Sequence, residues 1–275
     1  MSGSVEKKSR CDFSELAKLR VGCVQYLNAK PLIDAFCKSG GEVVFDHPSR
    51  LADSLADGAL DVALVPIFEA LRHADFPVVD AVSISSRGAV FSVALAYRGC
   101  LNEVKSVLLD PASRTSNHLL QVLFAEFREI SPKYRISEKA ETENDAQLLI
   151  GNQAIRFRQK HGDDFHFLDL GEEWMRRTSL PFVFAVWQMR PEVARARAVA
   201  DELRALKEKG VARVREIARE QNDFAPEFAE HYLTENIRFD LGDEEKAGIE
   251  KFRELLHRHH LLSGDKSKNH ALRFV

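Results

Sequence analysis

The chain has 275 residues, 45% of them hydrophobic and 29% charged, which is typical of a globular protein with a sizeable core. The net charge is −3 and the charges are interspersed, so neither a nucleic-acid-binding surface nor an acidic tail is indicated. The most apolar stretch, 180–187, is too short to cross a bilayer, and the polar residues 1–14 lack the apolar core of a secretory signal. We therefore expect a cytoplasmic protein with no membrane, nucleic-acid or obligate protein partner.

From residue 20 onwards, short apolar runs alternate with helical segments, which predicts an α/β protein with parallel sheets covered by helices. Residues 21–26 predict a first buried strand and residues 31–38 a helix, with Pro31 in its first turn and two glycines after its end. The same reasoning predicts further strands at 43–46, 62–65, 78–84 and 91–97, and short helices at 50–56 and 68–73.

A second series of elements begins with a strand at 106–110 and a helix at 115–127 that carries an apolar face. Strands at 146–150, 165–170 and 182–187 follow, and helices at 192–209 and 244–259 are expected to pack back on the first lobe. We therefore expect two lobes, formed by 18–96 with 188–275 and by 97–187. A ligand cleft should lie between them, where strand C-termini and helix N-termini converge.

The segment DPASRTS joins the strand at 106–110 to its helix and contains Ser113, Arg114, Thr115 and Ser116. Hydroxyls, a guanidinium and backbone N–H groups at a helix start suit a carboxylate or phosphate. These four residues are therefore candidate substrate-binding residues. The alternative is a helix cap beside a surface arginine.

Two other loops carry polar groups at strand ends. SISSRG places Ser86 and Arg87 after a strand, where they could face the first loop across a cleft or form a polar turn with a surface ion pair. In YLNAKP, Asn28 could offer its amide to a ligand, although capping the following helix is the commoner role of asparagine at such a position.

The sequence lacks the motifs of several kinds of catalytic and cofactor-binding sites. Neither GxGxxG nor GxxxxGK[ST] is present, so no nucleotide cofactor is expected. GxSxG and HExxH are also missing, and the four cysteines form no CxxC pair. His257, His259 and His260 lie near the end of a predicted helix, where positive side chains suit the helix dipole, so we expect no metal site.

Several blocks of the sequence, taken in order, resemble the chorismate dehydratases of the futalosine route to menaquinone, from about residue 19 to 270. Each block is weak alone and the combination is specific. The blocks are VGCVQYLNAKPL, ALVPIFEALRH, ISSRGAVFSVAL, LLDPASRTSNHLLQVL, AQLLIGNQA and LDLGEEWMRRTSLPFVFAVW.

The resemblance implies a periplasmic-binding-protein-like type II fold and the conversion of chorismate to 3-[(1-carboxyvinyl)oxy]benzoate and water, without metal or organic cofactor. It places Asn28 and Ser86 closest to the chemistry and gives the SRTS residues the role of holding a carboxylate. Ala29 and Gln25 depart from residues frequent in the family and leave the implied reaction intact.

Two other functions are the alternatives. The sister enzyme 1,4-dihydroxy-6-naphthoate synthase has the same fold, but the SRTS and YLN-x-KP blocks disfavour it. A non-enzymatic protein that binds small anions on this fold would need a signal peptide or an attached DNA-binding segment, and the sequence shows neither.

Overall fold

Two five-stranded sheets form the framework of the protein. The computed structural model describes residues 13–136, 146–262 and 271–275. The strands are β1 (Val21–Cys23), β2 (Val43–Phe45), β3 (Val62–Pro66), β4 (Val78–Ser86), β5 (Val93–Tyr97), β6 (Ser106–Leu109), β7 (Lys133–Ile136), β8 (Ala146–Ile150), β9 (His166–Asp169) and β10 (Phe182–Met189). The first sheet has the order β2-β1-β3-β10-β4 and the second has the order β7-β6-β8-β5-β9.

Both sheets mix parallel and antiparallel pairs. In the first sheet β1 lies parallel to β2 and β3, while β10 runs antiparallel to β3 and β4. In the second sheet β6 lies parallel to β7 and β8, while β5 runs antiparallel to β8 and β9. Every residue of β3 is buried, as expected for an apolar strand at the centre of a sheet.

Ten α-helices are described. They are α1 (Lys30–Lys38), α2 (Pro48–Ala56), α3 (Ile67–Arg72), α4 (Arg114–Phe127), α5 (Gly151–His161), α6 (Leu170–Thr178), α7 (Ala196–Ala212), α8 (Val214–Glu220), α9 (Pro226–His231) and α10 (Asp243–Arg258). A π-helical turn, Tyr232–Asn236, follows α9, and a 3₁₀ turn, Leu27–Ala29, precedes α1. None of the described helices is long and apolar enough to cross a membrane.

The long C-terminal helices α7 and α10 pack on elements of the first lobe, and α10 also contacts α4. Helix α7 packs on α1 and β4, and α10 packs on β10. Gly210 of α7 lies so close to the carbonyl group of Pro31 that a Cβ atom at this position would overlap it. This close approach fixes the end of α7 against the start of α1, next to the loop that carries Asn28.

The chain passes between the lobes twice. Strand β4 belongs to the first sheet and β5 to the second, so the first crossing lies at 87–92. The second lies at 179–181, between α6 and β10. Both fall several residues before the boundaries expected from sequence, 96/97 and 187/188. The apolar runs at 91–97 and 182–187 predict buried strands. An apolar run does not indicate which of the two sheets its strand joins.

Candidate functional site

A small cavity of about 70 Å³ lies where the two lobes meet. Apolar side chains form part of its wall, including Ile84 of β4, Val90 of the first crossing and Phe184 of β10. Six side chains that carry hydrogen-bonding groups also line it, and all are uncharged at neutral pH: Tyr26, Asn28, Ser92, Ser113, Thr115 and Ser116.

The cavity adjoins a larger cleft of about 750 Å³, and both Tyr26 and Ile150 border the two spaces. The cleft falls within the range of about 300–1,000 Å³ that small-molecule sites occupy, whereas the cavity alone is far smaller. Arg50 and Arg156 line the cleft, together with several carboxylates. A small organic anion would therefore occupy the cavity together with the adjoining part of the cleft.

Helices from both lobes begin at the cavity. Asn28 lies in the 3₁₀ turn before α1, Ser113 caps α4, and Gly151 is the first residue of α5. The N-terminus of a helix carries a partial positive charge and unpaired N–H groups, so it attracts anions. The helix N-termini thus converge as the strand-loop-helix pattern predicts. Their partial positive charge favours a bound carboxylate, although none of the described charged side chains lines the cavity.

Asn28 is not a helix cap. The capping positions of the 3₁₀ turn and of α1 are Tyr26 and Ala29, and neither end has a side-chain cap hydrogen bond. The Oδ1 atom of Asn28 is buried and has no hydrogen-bond partner among the described residues. Because a buried carbonyl oxygen without a partner is costly, this atom is positioned to accept a hydrogen bond from a ligand in the cavity.

The hydroxyls of the SRTS segment are brought together at the cavity, and two of them also have structural roles. Ser113 Oγ accepts a hydrogen bond of 3.2 Å from the backbone N–H of Ser116, which makes Ser113 the cap of α4. Thr115 Oγ1 accepts a hydrogen bond of 3.0 Å from the N–H of Phe68, across the lobe interface. Both hydroxyls keep a proton that can be donated to a ligand.

Arg114 is directed away from the cavity. Its guanidinium donates to both carboxylate oxygens of Asp53 at 2.8 Å, and it also lies 3.4 Å from Oε1 of Glu69. Hydrogen bonds from Arg114 hold the pKa of Asp53 below its usual range. Since Asp53 and Glu69 belong to the first lobe, Arg114 joins the lobes and does not line the predicted carboxylate site.

Ser86 and Arg87 also lie outside the cavity wall. Ser86 is fully buried, and its hydroxyl donates to the carbonyl oxygen of Gly88 at 3.0 Å. Arg87 is half exposed and forms an ion pair with Glu244 at the start of α10. This geometry matches the alternative interpretation of the sequence, a polar turn with a surface ion pair. The structure therefore brings together Asn28, Ser113, Thr115 and Ser116, but not Ser86, Arg87 or Arg114.

Ser92 lines the cavity and was not among the residues singled out from sequence. It ends the first crossing, which is held by the buried carboxylate of Asp169, the cap of α6. Asp169 accepts hydrogen bonds from the N–H groups of Val90 and Phe91, at 3.0 and 2.7 Å. The carbonyl oxygen of Ser92 accepts a hydrogen bond of 2.8 Å from the N–H of Gly151. These contacts fix Ser92 at the junction of the two lobes.

The available signal for Ser92 was a single hydroxyl inside the apolar run VFSVAL, within a block that resembles the family. A serine in a buried strand is easily attributed to packing, and its position facing a cavity depends on contacts with distant segments. Tyr232, whose hydroxyl donates to Ser92 Oγ at 2.7 Å, carried no local signal at all.

The histidines considered as metal ligands lie at the end of α10, and His259 Nε2 is 2.7 Å from a carboxylate oxygen of Glu126. Within the described ranges, no group of three or more His, Cys, Asp or Glu side chains is arranged to hold a metal ion.

Known proteins are similar in sequence to this chain over most of its length. Residues 19–258 match a family model described as menaquinone biosynthesis. The chain is 31% identical over 257 residues to a chorismate dehydratase of Thermus thermophilus, with 86% of this chain and 94% of that protein covered. It is 24% identical over 243 residues to a chorismate dehydratase of Campylobacter jejuni, with coverages of 88% and 94%.

Solved structures with similar folds have much lower sequence identity. A protein of Archaeoglobus fulgidus superposes with a TM-score of 0.68 at 16% identity, covering 88% of this chain and 98% of that one. A Candida albicans protein described as having the generic periplasmic-binding-protein fold gives a TM-score of 0.62 at 12% identity, with coverages of 94% and 95%. At these identities the likeness concerns the fold alone, and it confirms the predicted periplasmic-binding-protein-like architecture.

Proposed function

Because the chain belongs to the menaquinone-biosynthesis family, we propose that it is an enzyme that dehydrates chorismate to 3-[(1-carboxyvinyl)oxy]benzoate. The observation that carries this proposal is its 31% identity, over most of both chains, to a relative named chorismate dehydratase. The uncharged polar cavity between the lobes supports it, since the reaction requires an oriented dianion more than a strong catalytic group.

The reaction removes the hydroxyl at C4 and the hydrogen at C3 of the chorismate ring. The electrons of the C3–H bond enter the ring as the C4–O bond breaks, and the hydroxide leaves as water with the abstracted proton. Aromatisation drives the step, so the protein must hold the ring, stabilise charge and provide a path for the proton. We propose that a carboxylate of the substrate is the base, which fits a cavity wall without an ionised side chain.

The residues divide into two groups around the substrate. Ser113, Thr115 and Ser116, with the N-terminus of α4, hold one carboxylate by hydrogen bonds and the helix dipole. Asn28 and Ser92 contact the departing hydroxyl. In this account Ser92 takes the role that the sequence motif suggested for Ser86, because Ser92 is the serine of this crossing that lines the cavity.

Apolar residues complete the site. Ile84, Val90 and Phe184 contact the face of the ring and keep water from the breaking C4–O bond. The cytoplasm is the proposed compartment, because the three described cysteines are unpaired, as is usual in a reducing environment. A menaquinone precursor is the proposed product, in keeping with the family.

Incubation of purified protein with chorismate or with a cyclic futalosine tests the proposal. Loss of water from chorismate, with no conversion of the futalosine, is the expected result. Conversion of the futalosine alone would identify the chain as the sister enzyme. Binding of chorismate without turnover would make it an anion-binding protein of the same fold.

A further inference from the structure

The hydroxyl of Tyr232 lies behind the cavity and contacts Ser92 of its wall. Tyr232 begins the π-helical turn Tyr232–Asn236 and is 1% exposed. Its hydroxyl donates a hydrogen bond of 2.7 Å to Ser92 Oγ. A tyrosine from the C-terminal region therefore contacts one of the two groups proposed to contact the departing hydroxyl of the substrate.

This contact sets the direction of the hydrogen bond. The Tyr232 proton is donated to Ser92, so Ser92 keeps its own proton for another acceptor. Burial raises the pKa of Tyr232 far above its usual value, so the hydroxyl stays protonated throughout the physiological range.

The segment around Tyr232 is tied to the crossing that carries Ser92. Asn236 Nδ2 donates to the carbonyl oxygen of Ala89 at 2.9 Å. Arg238 and Ser85 exchange two backbone hydrogen bonds of 2.8 and 2.9 Å. A π-helical turn widens the helix by one residue, and such turns occur frequently at functional sites. Tyr232 is thus held in a fixed relation to Ser92.

We propose that Tyr232 is a positioning residue for the dehydration, which presents Ser92 as a hydrogen-bond donor to the substrate. The oxygen of a hydroxyl that leaves a ring gains negative charge, and a hydrogen-bond donor stabilises that charge. This inference rests on the proposed function and adds a residue to it that does not touch the substrate.

Tyr232→Phe removes only the hydroxyl. We expect kcat to fall about tenfold, which corresponds to the free energy of one hydrogen bond. KM should change by less than about threefold. The matched control is Tyr97→Phe, since Tyr97 lies at the end of β5, outside both the cavity and the cleft wall. Its kcat and KM should equal those of the unmodified protein.

The double variant separates positioning from a structural role. If Tyr232 acts through Ser92, adding Tyr232→Phe to Ser92→Ala should lower kcat by less than about twofold further. Independent effects that multiply in the double variant would overturn the proposal, as would a Tyr232→Phe protein that retains full kcat or fails to fold. Turnover of chorismate by the unmodified protein tests the proposed function separately. Its absence would overturn both, whereas turnover with multiplying effects would overturn only the role of Tyr232.

Discussion

The guanidinium of Arg114 and the carboxylate of Asp53 form two parallel hydrogen bonds of 2.8 Å that connect α4 of the second lobe to α2 of the first. The neighbouring ring of His118 stacks on Phe68, with centroids 3.7 Å apart and planes inclined by 11°. The loop predicted to bind a carboxylate thus divides its functions: its hydroxyls face the cavity, and its arginine holds the lobes together.

The first prediction concerns this ion pair. Arg114→Ala and Asp53→Ala should each raise KM for chorismate by about two- to fivefold, because a partly exposed pair contributes about 0–1 kcal/mol to the contact between the lobes. Steady-state kinetics of the two variants, with melting temperatures as a control for folding, measure this. If Arg114→Ala raised KM about a hundredfold while Asp53→Ala had no effect, the guanidinium would bind the substrate carboxylate directly.

The second prediction concerns Asn28. Asn28→Ala should lower kcat and kcat/KM together by about ten- to hundredfold, because an interaction made mainly in the transition state is lost. Asn28→Asp should fold normally and be inactive, since it keeps an acceptor oxygen but places a negative charge beside a dianion. A fully active Asn28→Asp protein would remove Asn28 from the chemistry.

The third prediction concerns Gly151 at the start of α5. Its φ is +59°, and an added Cβ would lie 2.9 Å from the ring of Tyr26, which lines the cavity. Gly99 has a φ of +68° and open space around it, so Gly99→Ala carries backbone strain alone. The backbone strain should cost each alanine variant about 1 kcal/mol of stability, and Gly151→Ala should lose more because of its contact with Tyr26. Only Gly151→Ala should also lower kcat/KM, and equal activity in the two variants would show that Tyr26 need not keep its position.

The fourth prediction concerns pH and Glu173, a carboxylate that is 3% exposed. Burial raises the pKa of Glu173, but hydrogen bonds from Arg128, Arg176 and Arg177 outweigh this effect and hold it at about 2. Because the pKa is lower in the folded state, the contribution to stability is present above pH 4.5 and is lost as pH falls toward 2.

The lowering from 4.5 to about 2 corresponds to about 3 kcal/mol. At pH 5, denaturant unfolding should give Glu173→Gln a lower free energy of unfolding than the unmodified protein. This difference should shrink as the pH is lowered and disappear near pH 2. The exposed neighbour Glu172 provides the control, and Glu172→Gln should follow the unmodified protein at every pH. An identical pH dependence of Glu173→Gln and the unmodified protein would contradict this account.

Much of the fold is predictable because it follows from local patterns. The apolar faces of α1, α4 and α10 and the buried run of β3 recur at the spacing of their element, and the structure has each within a few residues of the predicted bounds. The sequence patterns do not predict helices α5, α6, α8 and α9 or the strand β7. Helix α5 is rich in polar residues, and β7 is a short edge strand with Ile136 exposed, so neither shows a clear apolar period.

The site was predictable only in part, for the same physical reason. Asn28 and the hydroxyls of SRTS could be found because a strand-loop-helix pattern places polar groups at the end of a strand. Ser92 and Tyr232 meet across 140 positions of sequence, and no local pattern encodes that contact. Arg114 was expected to bind substrate because its residue type suits an anion, but its partner is set by the packing of α2, which the sequence of the loop does not specify.

The most direct test of the account is a proton NMR and mass measurement of purified protein incubated with chorismate in the presence of a chelator. We expect the ring signals of chorismate to be replaced by those of a meta-substituted benzoate that is lighter by one water, made up of the C4 hydroxyl and the C3 hydrogen, and we expect Ser92→Ala to slow the conversion. Unchanged chorismate, or activity that vanishes with the chelator and returns with zinc, would contradict the account.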